Sequence, residues 1–280
     1  MKRKISIYQL LPRLFGNKNK NCRVNGTIDD NGCGKFNDIT GRALSEIRDL
    51  GITHVWYTGV IEHGTMTDYS KFGISKDHPA LLKGRAGSPY AVKDYYDVDP
   101  DLAENVPERM KEFGDLIYRT HQHELKVIID FVPNHVFRPY HSDAKPDGID
   151  DFGENDNTAK AFDPQNNFYY LPGKTFEIPD HIEWLKEIQD ELPEAPYLEK
   201  PAKATGNDKF EPQPHRDDWY ETVKLNYGVD IQNNHRQHFD PIPDTWKKML
   251  DILRFWASKD VDSFRCDKAE MVPAEFWKWA

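Results

Sequence analysis

Two rhythms of apolar and polar positions alternate along this chain. Thr53 to Thr58, Lys126 to Val132 and Val261 to Cys266 are short runs rich in β-branched and aromatic residues, which predict buried strands. Ile7 to Phe15 predicts an opening strand. Between these runs the period lengthens. Ala43, Leu44, Ile47 and Leu50 share one helical face that Gly51 ends; Met110, Phe113, Ile117 and Leu125 line a second helix with Pro107 near its first turn. Trp246, Met249, Leu250, Leu253 and Trp256 line a third, for which Asp244 is the expected cap. Strand and helix alternating at this spacing predict βαβ units and a parallel sheet. From about Phe137 to Pro243 the rhythm breaks into Pro, Asp, Asn and aromatic residues, with a helical period only at 181–191. A structureless loop of that length does not suit a compact domain. A small irregular domain on the rim of the sheet does, which divides the chain into 1–136, 137–243 and 244–280.

Composition narrows the partners. With 37 basic against 47 acidic residues the 280-residue chain carries a net charge of −10 and shows no Lys/Arg stripe, which argues against nucleic acid and anionic membranes. Lys2-Arg3-Lys4 imitates the start of a signal peptide, but Gln9, Pro12 and Arg13 interrupt the apolar part and no small-residue cleavage site follows. No run approaches the ~18 apolar residues of a membrane helix. Cys22, Cys33 and Cys266 make no even disulfide framework, so a reducing, cytoplasmic location is expected. Seven tryptophans and thirteen tyrosines supply core, and also flat faces on which sugar rings stack.

The chemistry gathers at two strand ends. In Val261-Asp262-Ser263-Phe264-Arg265-Cys266-Asp267, Arg265 and Asp267 leave the strand on one face, and a cation beside a carboxylate favours its charged form. A carboxylate fixed at a strand's C-terminal tip is what barrel and open-sheet enzymes present to substrate. The second end is Asp130-Phe131-Val132-Pro133-Asn134-His135. No Gly-rich phosphate loop follows any strand, which excludes a doubly wound nucleotide binder.

Together these segments resemble the α-amylase family of glycoside hydrolases and transglycosidases. Asp130 to His135 is similar to the family motif after the third barrel strand, and Phe264-Arg265-Cys266-Asp267 to the motif on the fourth. Gly87-Ser88-Pro89-Tyr90-Ala91-Val92-Lys93-Asp94-Tyr95-Tyr96 resembles the segment whose tyrosine stacks on a sugar beside the scissile bond. The resemblance implies a (β/α)8 TIM barrel, here its strands 1–4, with a small domain inserted after the third strand. It implies a retaining enzyme acting on α-glucosidic bonds of starch-like or maltooligosaccharide substrates. Asp267 is then the catalytic nucleophile, with Tyr90, His135 and Arg265 binding substrate and Asp94, Asp130 and Asn134 fixing the rim. A transglycosidase of the same family, or a non-catalytic sugar-binding or assembly protein on the same scaffold, are the alternatives.

Family members often hold calcium between insert and barrel through the motif asparagine, an aspartate late in the insert and a histidine after the nucleophile. Here Asn134 is present, but Lys224 and Met271 stand at the other two positions. In the loop Asp29 to Lys35, which resembles a second calcium loop, Lys35 stands where a final acidic ligand belongs. Calcium takes oxygen ligands and an ammonium repels it, so no cofactor or metal is expected at the first site. His121 with His123, and His235 with His238, are read as surface histidines. The family's general acid belongs to a glutamate on the fifth strand and a further aspartate to the seventh, both beyond Ala280. The 280 residues alone are therefore expected not to hydrolyse α-glucans.

Overall fold

The computed structural model describes residues 4–280. Strand β1 (Ile7–Leu10) leads through a turn and the loop to helix α1 (Gly41–Asp49), then β2 (His54–Tyr57). A hairpin of β3 (Ile61–His63) and β4 (Val92–Val98) precedes α2 (Arg109–Gln122), β5 (Lys126–Phe131) and β6 (His135–Phe137). Late in the insert comes β7 (Thr222–Lys224), and after it α3 (Asp244–Ala257), β8 (Ser263–Cys266) and α4 (Ala274–Trp279). The order β1-β2-β5-β8 forms one parallel sheet, the expected barrel half-turn of strands 1–4.

Local chemistry sets the element ends. Thr40 caps α1 by accepting the Ala43 amide, and Gly51, at φ +84°, releases the chain into β2 in a conformation costly for other residues. β1 stops at Leu10 rather than running to Phe15, because Pro12 has no amide to give a neighbouring strand and the chain turns there. Asp244 is not a cap: it lies inside α3, preceded by Pro243, and its carboxylate takes the Asn167 amide (3.1 Å) and Lys248 (3.2 Å).

Alternation then sorts the sheet into two faces. Val55, Tyr57, Val127 and Ile129 join Leu44 and Ile47 of α1, Phe113, Leu116 and Ile117 of α2, and Met249, Ile252 and Trp256 of α3 in one core. The opposite face carries Gln9, Trp56 and Ile128 in register, then Asp130 beside Arg265. The chemistry therefore rises from the face away from the helices.

The segment 137–243 is built from short antiparallel pairs. β6 runs across residues 136 and 137 and pairs with β7, His135 opposite Lys224, so the insert's return strand is sewn to the tip of the third barrel strand. Arg138, fully buried, donates to the Tyr220 carbonyl (2.6 Å) and the Glu199 carboxylate (2.7 Å) and lies over the Phe176 ring at 3.9 Å. Asp94 ties the insert's first stretch down by accepting Ser142 Oγ (2.6 Å) and the Ala144 amide (3.0 Å).

Candidate active site

Asp267 continues the inward alternation of β8 one step past the strand, its amide held by the Phe131 carbonyl at 2.8 Å. The side chain is 12 % exposed, so one edge stays open. Arg265 Nη1 donates to Asp267 Oδ1 at 2.7 Å and lies 3.5 Å from Asp130 Oδ1. Asp130 Oδ2 accepts the Gly59 amide at 3.0 Å, and desolvation raises its pKa despite that bond and the guanidinium. Asp130 is thus a holder of Arg265 and of the β2 end, not a free acid.

Two rings flank the guanidinium, Trp56 at 5.1 Å and Tyr90 at 5.5 Å, both in cation–π range. Tyr90 arrives on the turn before β4, where Gly87 has φ +66° and a Cβ would meet the Gly64 carbonyl oxygen at 1.7 Å. That turn needs glycine. The phenol is half-buried beside Asp130, and burial raises its pKa.

His135 lies deeper, 4 % exposed, with both ring nitrogens engaged. Nε2 donates to the Tyr90 carbonyl at 3.0 Å and Nδ1 accepts from Asn134 Nδ2 at 3.1 Å. Burial lowers its pKa to about 4, so the ring is neutral at pH 7. A sugar hydroxyl reaching Nε2 has to displace that carbonyl. The sequence-predicted set Asp267, Arg265, Tyr90 and His135 therefore sits in one cluster of named contacts.

Three neighbours were missed by the sequence reading. Trp56 was legible as an inward position of β2. Trp219, in the insert, packs its ring on His135 at 5.3 Å, and Lys268 reaches over that indole at 5.5 Å from an αL conformation (φ +49°) directly after Asp267. Neither gave a periodic signal.

At the insert–barrel junction Lys224 Nζ lies 2.5 Å from Asn134 Oδ1 and 2.9 Å from Asp208 Oδ1. An ammonium fills the space between two oxygens. Met271 ends a short turn at 269–271, and Lys35 Nζ donates to the Asp101 carbonyl at 2.6 Å. His121 Nε2 is bound to Asp262 at 2.8 Å.

A carboxylate–arginine pair at the C-terminal ends of parallel strands, under an irregular insert, defines the class of β/α-barrel proteins that carry reacting groups on strand tips. The sequence profile of the alpha-amylase catalytic domain matches residues 9–278, and the chain belongs to the alpha-amylase family. Maltase A2 of Drosophila melanogaster is 24% identical over 274 residues, covering 94% of this chain and 34% of that protein. The amino acid transporter heavy chain SLC3A1 of Homo sapiens is 24% identical over 273 residues, covering 95% of this chain and 29% of that one. The solved cyclic α-maltosyl-(1→6)-maltose hydrolase of Arthrobacter globiformis superposes with a TM-score of 0.55 at 16% identity, over 98% of this chain and 46% of its own. The chain thus spans about a third of the length of these sequence relatives. Among the described residues no helix is long and apolar enough to cross a membrane.

Proposed function

We propose that this chain supplies the nucleophile side of a retaining α-glucan-active site, with Asp267 as nucleophile. The observation that carries the reading is the Arg265–Asp267 contact at 2.7 Å on the inward face of β8, with an open edge on the carboxylate. In a retaining reaction the carboxylate oxygen bonds to the anomeric carbon as the glycosidic oxygen leaves with a proton from a second carboxyl group ~5–5.5 Å away. Water or a sugar hydroxyl then takes the glycosyl group, which separates hydrolysis from transglycosylation. Arg265 orients Asp267, Tyr90 is the stacking platform, and His135 lies behind it, its Nε2 on the Tyr90 carbonyl that a sugar hydroxyl would have to displace. The cysteines are free, which suits a cytoplasmic protein. We also infer that no calcium joins insert and barrel, since Lys224 occupies the oxygens of Asn134 and Asp208.

The match to an amino acid transporter heavy chain supports keeping a second reading, a non-catalytic sugar-binding or assembly protein on the same scaffold. Asp267→Asn separates the two. In the catalytically complete protein it abolishes turnover of maltooligosaccharides and leaves their binding measurable under the enzyme reading; turnover absent in the parent as well supports the scaffold.

A further inference from the structure

The insert reaches the sugar platform through one hydrogen-bonded line of side chains. Its members are nearly all buried: Asn134 at 0%, His135 at 4% and Lys224 at 5% exposure. At one end an ion pair, Asp208 Oδ1 to Lys224 Nζ at 2.9 Å, anchors the line. At the other His135 Nε2 donates to the Tyr90 carbonyl at 3.0 Å.

Donor and acceptor inventory fixes each link in turn. Lys224 Nζ has only protons to offer, so the Asn134 atom 2.5 Å away has to be the amide oxygen. The amide nitrogen then faces the Gly206 carbonyl at 2.8 Å, which also demands a donor. Its second proton points at His135 Nδ1, 3.1 Å away, so Nδ1 carries no proton and Nε2 does. That proton is what the Tyr90 carbonyl accepts. Tyr90 follows Pro89 in a turn that the Ala91 amide closes on the Ser88 carbonyl (2.9 Å). Its own amide makes a long 3.4 Å contact with Ser88 Oγ, so the His135 bond adds a link from the insert side to a turn already closed on the barrel side. A flipped Asn134 amide would set an NH2 group against an ammonium and turn His135 Nδ1 into a donor, leaving the Tyr90 carbonyl without its proton.

We propose that Lys224 is a positioning residue for Tyr90, acting through the Asn134 amide and the Nε2–H tautomer of His135. The residue belongs to the return strand of the insert, so the insert sets the platform of the barrel site as well as covering it. The role in sugar binding rests on the reading of Tyr90 as the stacking ring; the tautomer relay does not. Side-chain partners behind a ligating histidine fix its tautomer and ring orientation in the same way.

The test uses 15N-labelled chain, with the His135 ring signals assigned by their loss in His135→Gln. The parent shows the neutral Nε2–H tautomer from pH 5.5 to 8. Lys224→Met keeps the aliphatic stem and removes the cation; His135 then shows a mixture of tautomers, and the dissociation constant for maltotriose rises about tenfold. Lys224→Arg restores both at least in part. Asn134→Asp keeps the oxygen for Lys224 and removes the donor to Nδ1, so the tautomer changes while the lysine stays paired. A parent ring in the Nδ1–H form, or an unaltered Nε2–H form in a folded Lys224→Met chain, overturns the proposal. If Lys224→Met does not fold, Asn134→Asp decides by the same signal. A tautomer shift without any maltotriose binding in the parent upholds the relay and overturns the sugar reading of Tyr90.

Discussion

Glu62 and Asp94 stand opposite one another across the β3–β4 hairpin, both buried, at 1% and 0% exposure. Lys93 is shared unevenly among the acids around them, 3.1 Å from Asp77 and 3.7 Å from Glu62. Glu62 Oε2 has no hydrogen-bond partner. Desolvation, with Asp94 next, pushes the Glu62 pKa up to about 9, and desolvation lifts Asp94 to about 6.

A pH dependence follows from Glu62. Its folded pKa lies above the unfolded value, so its contribution to stability is complete below about pH 4.5 and is lost as pH rises toward 9. By pH 7 that loss is on the order of 3 kcal/mol. Glu62→Gln keeps the shape and the neutral state. Its melting temperature should equal the parent's near pH 4.5 and exceed it increasingly up to pH 8.5. Parallel curves for the two proteins over that range would show that Glu62 is ionised in the fold.

The Arg138–Glu199 pair predicts a second stability effect. Arg138 is fully buried and Glu199 is 7% exposed, with Lys203 3.4 Å from the same carboxylate. Removing one partner of a buried pair leaves an uncompensated charge, typically 3–5 kcal/mol. Because Lys203 remains, Arg138→Met should cost about 3 kcal/mol in urea denaturation, near the low end of that range. Arg138→Met with Glu199→Leu should recover part of it. A double variant no more stable than the single one would place the loss in the bonds to the Tyr220 and Thr222 carbonyls instead.

Much of this architecture is readable in the sequence because parallel strands are continuous apolar runs and their helices are amphipathic. Val127 and Ile129 on one side of β5, with Asp130 at its tip, are visible as pattern. The hairpin is not. Val92-Lys93-Asp94-Tyr95-Tyr96-Asp97-Val98 reads as a polar loop, yet all seven residues are buried, because Lys93, Asp94 and Asp97 meet Asp77, Ser142 and Arg109 far along the chain. Tertiary partners cancel the cost of burying these groups, and no local period records them. The site divides the same way: Arg265 on β8 and Asp267 one residue past its end are neighbours in sequence, whereas Trp219 and Lys268 meet only through the fold of the insert.

Calcium independence is the third expectation. A metal held at a hundred times its dissociation constant adds ~2.7 kcal/mol to stability, which a melt detects readily. With Lys224 on Asn134 Oδ1 and Lys35 on the Asp101 carbonyl, melts with EDTA and with added calcium should coincide. A fall in melting temperature on chelation, restored by calcium, would refute this for the chain. Repeating the melts in Lys35→Ala would then tell whether the loop at 29–35 is the site.

The last expectation concerns turnover by the 280 residues alone. Retaining chemistry needs a proton for the leaving oxygen as well as a nucleophile, and losing a positioned acid typically costs ~10²–10⁴-fold in rate. The carboxyl group that shares Arg265 with Asp267 is Asp130, and its oxygens are committed to Arg265 and the Gly59 amide. It is poorly placed to deliver a proton. The purified chain should therefore bind maltotriose through Tyr90, with Tyr90→Ala weakening that binding, while releasing no glucose or maltose from maltooligosaccharides or starch. Robust turnover would mean that an acid lies within these residues. Glu270, exposed in the turn just after Asp267, and Glu275 at the start of α4 would be the first to replace by glutamine.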